Sequence, residues 1–181
     1  MIDINENAIE KVSALLHGIP NGAEKAISGA LNRSLLAYRT ASVKQIRQTY
    51  HISASDLKTS GQIKMNKASM RSPEGSVAFA GSMIPLVKFN ARRTKPVTVA
   101  VLKQSSAKRL EHAYFANLGL GTGIFERITR QRDSSKQLLG PSAAHMADNT
   151  DVVYTAENRA MEVFENRLEH EINRLLEGYG V

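Results

Sequence analysis

Two stretches of apolar, β-branched sequence decide the fold class of this chain: SVAFAGSMIPLVKF at residues 76–89 and PVTVAVLK at residues 96–103. Apolar residues alternate with small or polar ones along both stretches in short runs, which is typical of β-strands. In the second stretch Val97 and Val99 would share one face, because successive side chains of a strand point to opposite sides. The pattern predicts three or four strands of an antiparallel sheet between about residues 63 and 103.

The sequence on either side of these strands has helical spacing. Apolar residues recur every three or four positions over about residues 4–17, 21–50 and 150–177, as on the buried face of an amphipathic helix. After the second of these segments, Ser53 or Ser55 can cap a short helical turn. The order of helices, strands and helix predicts an α+β fold, with long N-terminal helices, a central antiparallel β-sheet and a long C-terminal helix.

A chain of 181 residues is long enough for one domain with a real core and too short for two comfortable ones. We therefore predict a single domain over residues 1–181. Its predicted parts are an N-terminal helix at 1–20, a long helix and turn at 21–60, a β-rich core at 61–128, and a C-terminal segment and helix at 138–181. Within the core, HAYFANLGLGTGIFERI at residues 112–128 is predicted to be extended structure around a glycine-rich turn.

The composition excludes several classes of protein. Cysteine is absent, which removes disulfides, thiolate nucleophiles and cysteine-based metal sites. No run of about 18 apolar residues occurs, and the acidic N-terminus lacks the layout of a secretory signal. We predict a protein that is made and kept in a reducing cytoplasm and has no contact with a membrane.

Charge is distributed unevenly along the chain. Residues 1–110 carry 17 Lys and Arg against 6 Asp and Glu, a net charge of +11, whereas residues 111–181 carry 7 against 11, a net charge of −4. A basic body with an acidic end fits nucleic-acid binding on one face. It fits head-to-tail packing of identical subunits equally well, because their opposite ends attract each other.

Sequence patterns that would support catalysis are absent. The glycine cluster at residues 119–123 is followed by Ile-Phe, whereas a P-loop needs Lys and then Ser or Thr to reach phosphate and magnesium. His170 and the glutamate that follows it resemble the start of a zinc-protease motif. That motif requires a second histidine four residues after the first, and this position is Arg174. No serine lies in a G-x-S-x-G turn. We predict that the chain is not an enzyme and uses no cofactor and no metal.

Two sets of charged residues are candidates for contact with a partner. The basic candidates, for DNA or another partner, are Arg33, Arg39, Lys44, Arg47, Lys88, Arg92, Arg93 and Lys95. The acidic candidates, for contact between subunits, are Glu157, Glu162, Glu165 and Glu169. The basic set could bind phosphates without reading base sequence, or it could be a solvated helix face and an exposed loop. Tryptophan is absent and other aromatics are few, which argues against stacking on single-stranded bases.

Four blocks of the sequence carry a resemblance to a known family. The first is ALNRSLLAYRTASVKQIRQTYHISASDLK at residues 30–58, and the second is IPLVKFNARRTKPVTVAV at residues 84–101. The third is GTGIFERI at residues 121–128. The fourth is LLGPSAAHMADN at residues 138–149, which leads into VFENRLEHEINRLL at residues 163–176. In this order the blocks resemble the prophage minor tail protein Z family, and they cover most of the chain from about residue 21 onward.

The resemblance implies a structural minor tail protein of a bacteriophage or prophage, which acts in tail completion near the head-proximal end and in productive DNA delivery. It implies a location in the virion, after assembly in the host cytoplasm. The implied partners are further copies of the chain in a ring, other tail proteins such as the tail terminator or tube, and phage DNA in non-specific contact. It carries no catalytic residue over to this chain. The alternative is a sequence-independent DNA-binding protein that works alone.

Overall fold

The structure is a computed structural model that describes residues 6–118, 121–129 and 134–179. Its helices are α1 (Glu6–Leu15), α2 (Gly22–Thr49), α3 (Ala54–Ser60), α4 (Ala143–Ala147) and α5 (Thr150–Tyr179). Its strands are β1 (Gly61–Asn66), β2 (Ser76–Gly81), β3 (Met83–Pro85), β4 (Asn90–Arg92), β5 (Val97–Ala100), β6 (Lys108–Leu110), β7 (Ala113–Asn117), β8 (Thr122–Arg127), β9 (Ser135–Gln137) and β10 (Leu139–Ser142). A 3₁₀ turn spans Leu86–Lys88. The predicted α+β class is confirmed.

The three helices predicted from apolar spacing are present with nearly the predicted bounds. The first begins at Glu6 in the described chain, and positions 4 and 5 of the prediction lie outside the described residues. Ser53 caps α3, since its hydroxyl oxygen accepts a hydrogen bond of 3.0 Å from the backbone N–H of Asp56. Ser142 caps α4 in the same way, through the N–H of His145. Within the described residues, no helix is both long and apolar enough to span a membrane.

The β-structure is more divided than the single central sheet that the sequence predicts. The described strands form four small sheets, with the orders β1-β2, β10-β3, β4-β5-β6 and β7-β8-β9. The registers of the last three are antiparallel. The strands are three to six residues long. The predicted extended segment is confirmed as the antiparallel pair β7–β8, with Gly121 at a φ of 89°. Positions 119 and 120 of the predicted glycine-rich turn lie outside the described residues.

The chain divides into two compact units, each made of separate segments. Unit 1 comprises Met1–Ser42, Lys64–Ala78 and Thr150–Val181, and unit 2 comprises Val43–Ile63 and Phe79–Asn149. The division falls within α2, β1 and β2, so the chain crosses from one unit to the other inside continuous elements. That residues 1–181 behave as a single domain stays a prediction.

Unit 1 is held together by α1, the first part of α2, and α5. Its buried cluster consists of Val12, Leu16, Ile19, Ala26, Ile27 and Leu175. Farther along α2 and α5, Ala30, Ala156 and Ala160 are fully buried, and such small side chains let two helix backbones approach closely. The buried hydroxyl of Ser34 donates a 2.7 Å hydrogen bond to the carbonyl oxygen of Ala160, which joins α2 to α5 directly.

Unit 2 packs its strands against the end of α2 and the short helices. Its most buried side chains include Ile46, Leu57, Ile84, Val97, Val99, Ile124 and Met146. The end of α2 is tied to the chain after β5 by two backbone hydrogen bonds, from His51 N–H to Val101 O at 2.8 Å and from Lys103 N–H to Thr49 O at 2.9 Å. Gly61 lies so close to α4 that an added Cβ would stand 2.5 Å from the Cβ of Ala143.

Candidate functional site

The sheet β4-β5-β6 in unit 2 has one apolar face and one basic face. Its register pairs Arg92 with Thr98, and Thr98 with Arg109. These three residues therefore lie side by side across the strands, on the face opposite Val97 and Val99. The two valines are 4 % exposed and belong to the core of the unit, whereas both arginines are exposed. The two arginines are two strands apart, a separation of about 9.6 Å between backbones.

The loop between β4 and β5 adds two more cations, Arg93 and Lys95. The guanidinium carbon of Arg93 lies 5.0 Å from the ring centroid of Phe115 on β7, a cation–π distance. The donors of a guanidinium lie in its own plane, so stacking on the ring leaves them available to an oxygen ligand. Arg92, Arg93, Lys95 and Arg109 together are called the basic sheet face below.

Threonine hydroxyls fix the course of this loop. The hydroxyl of Thr94 donates to the carbonyl oxygen of Pro96 at 2.7 Å and lies 3.4 Å from the hydroxyl of Thr98. Because the one hydroxyl hydrogen of Thr94 is used on Pro96, Thr98 is the donor in the second contact. Thr98 therefore positions the loop that carries Arg93 and Lys95.

Positive charge on the basic sheet face is not balanced by neighbouring acids. Among the residues that the structure describes, none of its four cations forms an ion pair. Unit 2 as a whole carries 14 Lys and Arg against 5 Asp and Glu, a net charge of +9, and unit 1 carries 10 against 12, a net charge of −2. Most of the excess positive charge therefore lies in unit 2, and unit 1 carries a small excess of acidic residues.

Comparison with protein-family models, curated proteins and solved structures finds no match for this chain.

The eight basic residues predicted as contacts do not all belong to one site. Arg33 and Arg39 lie in the part of α2 that belongs to unit 1, and Lys44 and Arg47 lie in the part that belongs to unit 2. Of the other four, Arg92, Arg93 and Lys95 are brought together on the basic sheet face, and Lys88 has a different role.

Lys88 is engaged in an ion pair rather than displayed for a partner. Its ammonium lies 2.9 Å from the carboxylate of Asp56 on α3, with about half of the lysine side chain exposed. The pKa of Asp56 lies below its ordinary value, mainly because the Ser53 hydroxyl donates to the carboxylate at 2.6 Å, and further because of Lys88. Lys88 therefore links the 3₁₀ turn to α3, and its role as a contact for DNA or a partner stays a prediction.

The acidic candidates all lie on α5 but differ in their surroundings. Glu165 and Glu169 are exposed, one helical turn apart. Glu162 is exposed and pairs with Arg159 at 2.7 Å, so its charge is partly balanced within the helix. Glu157 is half-buried and borders a cavity. Of the four, Glu165 and Glu169 are exposed and form no ion pair within the described residues, and the role of all four in contact between subunits stays a prediction.

The cavity beside Glu157 lies within unit 1 and has a volume of about 230 Å³. Its lining is Leu31, Ser34, Leu35, Tyr38, Gly75, Ser76, Val77 and Glu157. Burial raises the pKa of the Tyr38 phenol, and the nearby Glu157 carboxylate raises it further. A neutral phenol beside a carboxylate gives the cavity some polar character, but Ser34 is already bonded to α5. Across the described residues, no group of three or more His, Asp or Glu is placed to hold a metal ion.

Sequence reasoning missed Arg109 and Phe115. Arg109 stands next to Lys108 in a short basic run, but its place beside Thr98 depends on the pairing of β6 with β5. Seven residues separate these two strands, so no tight turn motif specifies their register. Phe115 was assigned correctly to extended structure, yet its contact with Arg93 joins elements of two different sheets.

Proposed function

We propose that this chain is a structural protein of a bacteriophage or prophage tail, acting in tail completion near the head-proximal end and in productive DNA delivery. Four blocks of sequence that resemble the minor tail protein Z family support this proposal. The structural observation that carries it is the separation of charge, with a net charge of +9 on unit 2 and −2 on unit 1. Such a subunit is suited to assembly with copies of itself.

The charge separation favours contacts between unlike surfaces of neighbouring subunits. Exposed Glu165 and Glu169 on α5 offer an acidic patch, and exposed cations of unit 2, such as Lys44 and Arg47 on α2, offer a complementary one. A contact in which one patch meets the other on the next copy is heterologous, and it closes into a ring when the rotation between copies closes. Ion pairs at the rim of such an interface steer association and weaken with salt.

The test is the mass of the purified protein by light scattering, across protein concentration and salt. A discrete oligomer at low salt that dissociates as salt rises is expected. The double substitution Glu165→Gln and Glu169→Gln should shift the midpoint of association to higher protein concentration. Glu10→Gln with Glu74→Gln removes the same charge from two exposed acids outside α5 and should leave it unchanged. A monomer at every concentration at low salt would overturn the ring, as would an equal shift in both variants.

A second function, sequence-independent DNA binding by the chain alone, is favoured by the basic sheet face. Its four cations have no acidic partner among the described residues, and phosphate contacts by Arg and Lys supply most of non-specific binding. A monomer that binds duplex DNA with a steep dependence on salt would favour this function over the assembly role.

A further inference from the structure

We propose that Arg92 and Arg109 form a two-arginine clamp for the phosphodiester backbone of duplex DNA, with Arg93 and Lys95 as flanking contacts. The inference deepens the second candidate function and rests on it. It assigns a binding role to Arg109, which the sequence pattern did not single out, and does not use Lys88, which pairs with Asp56.

The geometry of the sheet holds the two arginines in one row. Each stands directly beside Thr98 in the register of β4-β5-β6, so both side chains leave the same face. Their backbones are about 9.6 Å apart. Rotation of the two long side chains can bring the guanidinium groups closer together or move them farther apart, so that they reach neighbouring phosphates. Glu111 is the acid nearest to Arg109 in sequence, and it does not form an ion pair with it.

The flanking loop is held in place before any ligand arrives. Arg93 is stacked on Phe115 at 5.0 Å, and Thr94 is bonded to Pro96 and Thr98. A cation that is already positioned loses less side-chain freedom when it binds a phosphate. The loop that carries Arg93 and Lys95 therefore has its conformation before DNA binds, and its two cations extend the clamp.

The same stack argues against recognition of unpaired bases. Single-stranded nucleic acid is bound by open aromatic faces on which bases stack. One face of Phe115 is covered by Arg93, and Tyr114, its neighbour on β7, packs its ring 6.4 Å from that of Phe125. The exposed groups that remain are cationic donors, which match phosphate oxygens in any sequence.

The experiment measures binding of the full chain to two fluorescent 20-bp duplexes, one AT-rich and one GC-rich, from 50 to 300 mM salt. In the variant Arg92→Gln/Arg109→Gln, the negative slope of the logarithm of the association constant against the logarithm of the salt concentration should become shallower by about 1.8, since each lost phosphate contact removes about 0.9. Affinity in 0.1 M salt should fall roughly 60-fold by the same relation. Binding of the wild-type chain to the two duplexes should agree within a few-fold.

The control variant Lys58→Gln/Lys136→Gln removes the same charge from exposed side chains on α3 and β9, outside the sheet β4-β5-β6. It should retain the wild-type slope. An equal loss in the control would overturn the clamp while leaving DNA binding intact, whereas a wild-type chain without affinity for either duplex would overturn the DNA-binding function itself. A tenfold preference between duplexes would overturn phosphate-only contact. If poly-glutamate displaces the labelled duplex as well as unlabelled DNA does, and the arginine variant loses affinity for poly-glutamate and DNA equally, the basic sheet face binds an acidic protein instead.

Discussion

Gly61 offers a sharp test of the packing in unit 2. It ends α3 in an extended conformation, with φ of −116° and ψ of 141°, which any residue can adopt. Backbone strain therefore does not require glycine here. The requirement is steric, because an added Cβ would lie 2.5 Å from the Cβ of Ala143 and 2.8 Å from the carbonyl oxygen of Leu57.

The size of the expected loss of stability depends on whether the atoms next to the added Cβ can move away. Both clashing atoms belong to rigid parts of the unit: the Cβ of Ala143 is fixed to a helix backbone and fully buried, and the other atom is a backbone oxygen. Separations under 3.0 Å are too short for two non-bonded carbons or for carbon and oxygen, so α3 or α4 must shift. Overpacking of a core by one methyl group costs about 1–3 kcal/mol, and we expect Gly61→Ala to lower the free energy of unfolding by that amount.

Chemical denaturation followed by far-ultraviolet circular dichroism measures the effect. Gly18→Ala is the matched control, since no atom lies within 4 Å of its added Cβ. That substitution should be neutral, or stabilising by up to about 1 kcal/mol through the unfolded chain. Adding Ala143→Gly to Gly61→Ala should recover part of the loss, because it removes one of the two clashes and leaves the one with Leu57. If Gly61→Ala unfolds at the wild-type denaturant concentration, the close approach of α3 and α4 described above is wrong.

Two further predictions concern hydrogen bonds. Ser34→Ala removes the donor that joins α2 to α5 and should lower the free energy of unfolding by about 1 kcal/mol, which lowers the melting temperature by about 2–4 °C in a chain of this length. The control is Ser28→Ala, because the Ser28 hydroxyl bonds within its own helix, and it should change the melting temperature less. Equal shifts of the melting temperature in the two variants would contradict the role of Ser34 between the helices. The lowered pKa of Asp56 means that its contribution to stability is present above about pH 4 and is lost as pH falls through the folded value. In an NMR titration, Ser53→Ala and Lys88→Gln should each raise the pKa of the Asp56 carboxyl above its wild-type value, and an unchanged pKa in either variant would contradict that contact as a cause.

The helices of this fold can be predicted because their information is local. An apolar residue every three or four positions indicates α2 and α5 to within a few residues of their observed ends. A serine cap of α3 can also be predicted, because a capping serine acts on a nearby N–H, but the choice of Ser53 over Ser55 comes from the structure. Such contacts lie within one or two turns of chain, where spacing alone specifies geometry.

The site could be predicted only in part, because its geometry depends on contacts between distant segments. The basic character of Arg92, Arg93 and Lys95 is evident in sequence, but their convergence with Arg109 depends on the register of β6. The ion pair of Lys88 depends on α3, which lies far earlier in the chain. The division into small sheets has the same origin, since β3 pairs with β10 across more than fifty residues. Alternation predicts that a strand exists and which side chains share a face, but it does not choose the partner strand.

The segmented make-up of unit 1 has a consequence for the order in which the protein is synthesised. Val12 and Leu16 emerge from the ribosome early, yet they share a buried cluster with Leu175, which emerges among the last residues of α5. All of unit 2 is translated in between, which takes roughly 5–20 s at ordinary elongation rates. Throughout that interval the parts of α1 and α2 that α5 covers in the folded unit lack that cover, so the nascent chain offers them to chaperones or to other nascent chains. Release of α5 from the ribosome is the event that ends this exposure.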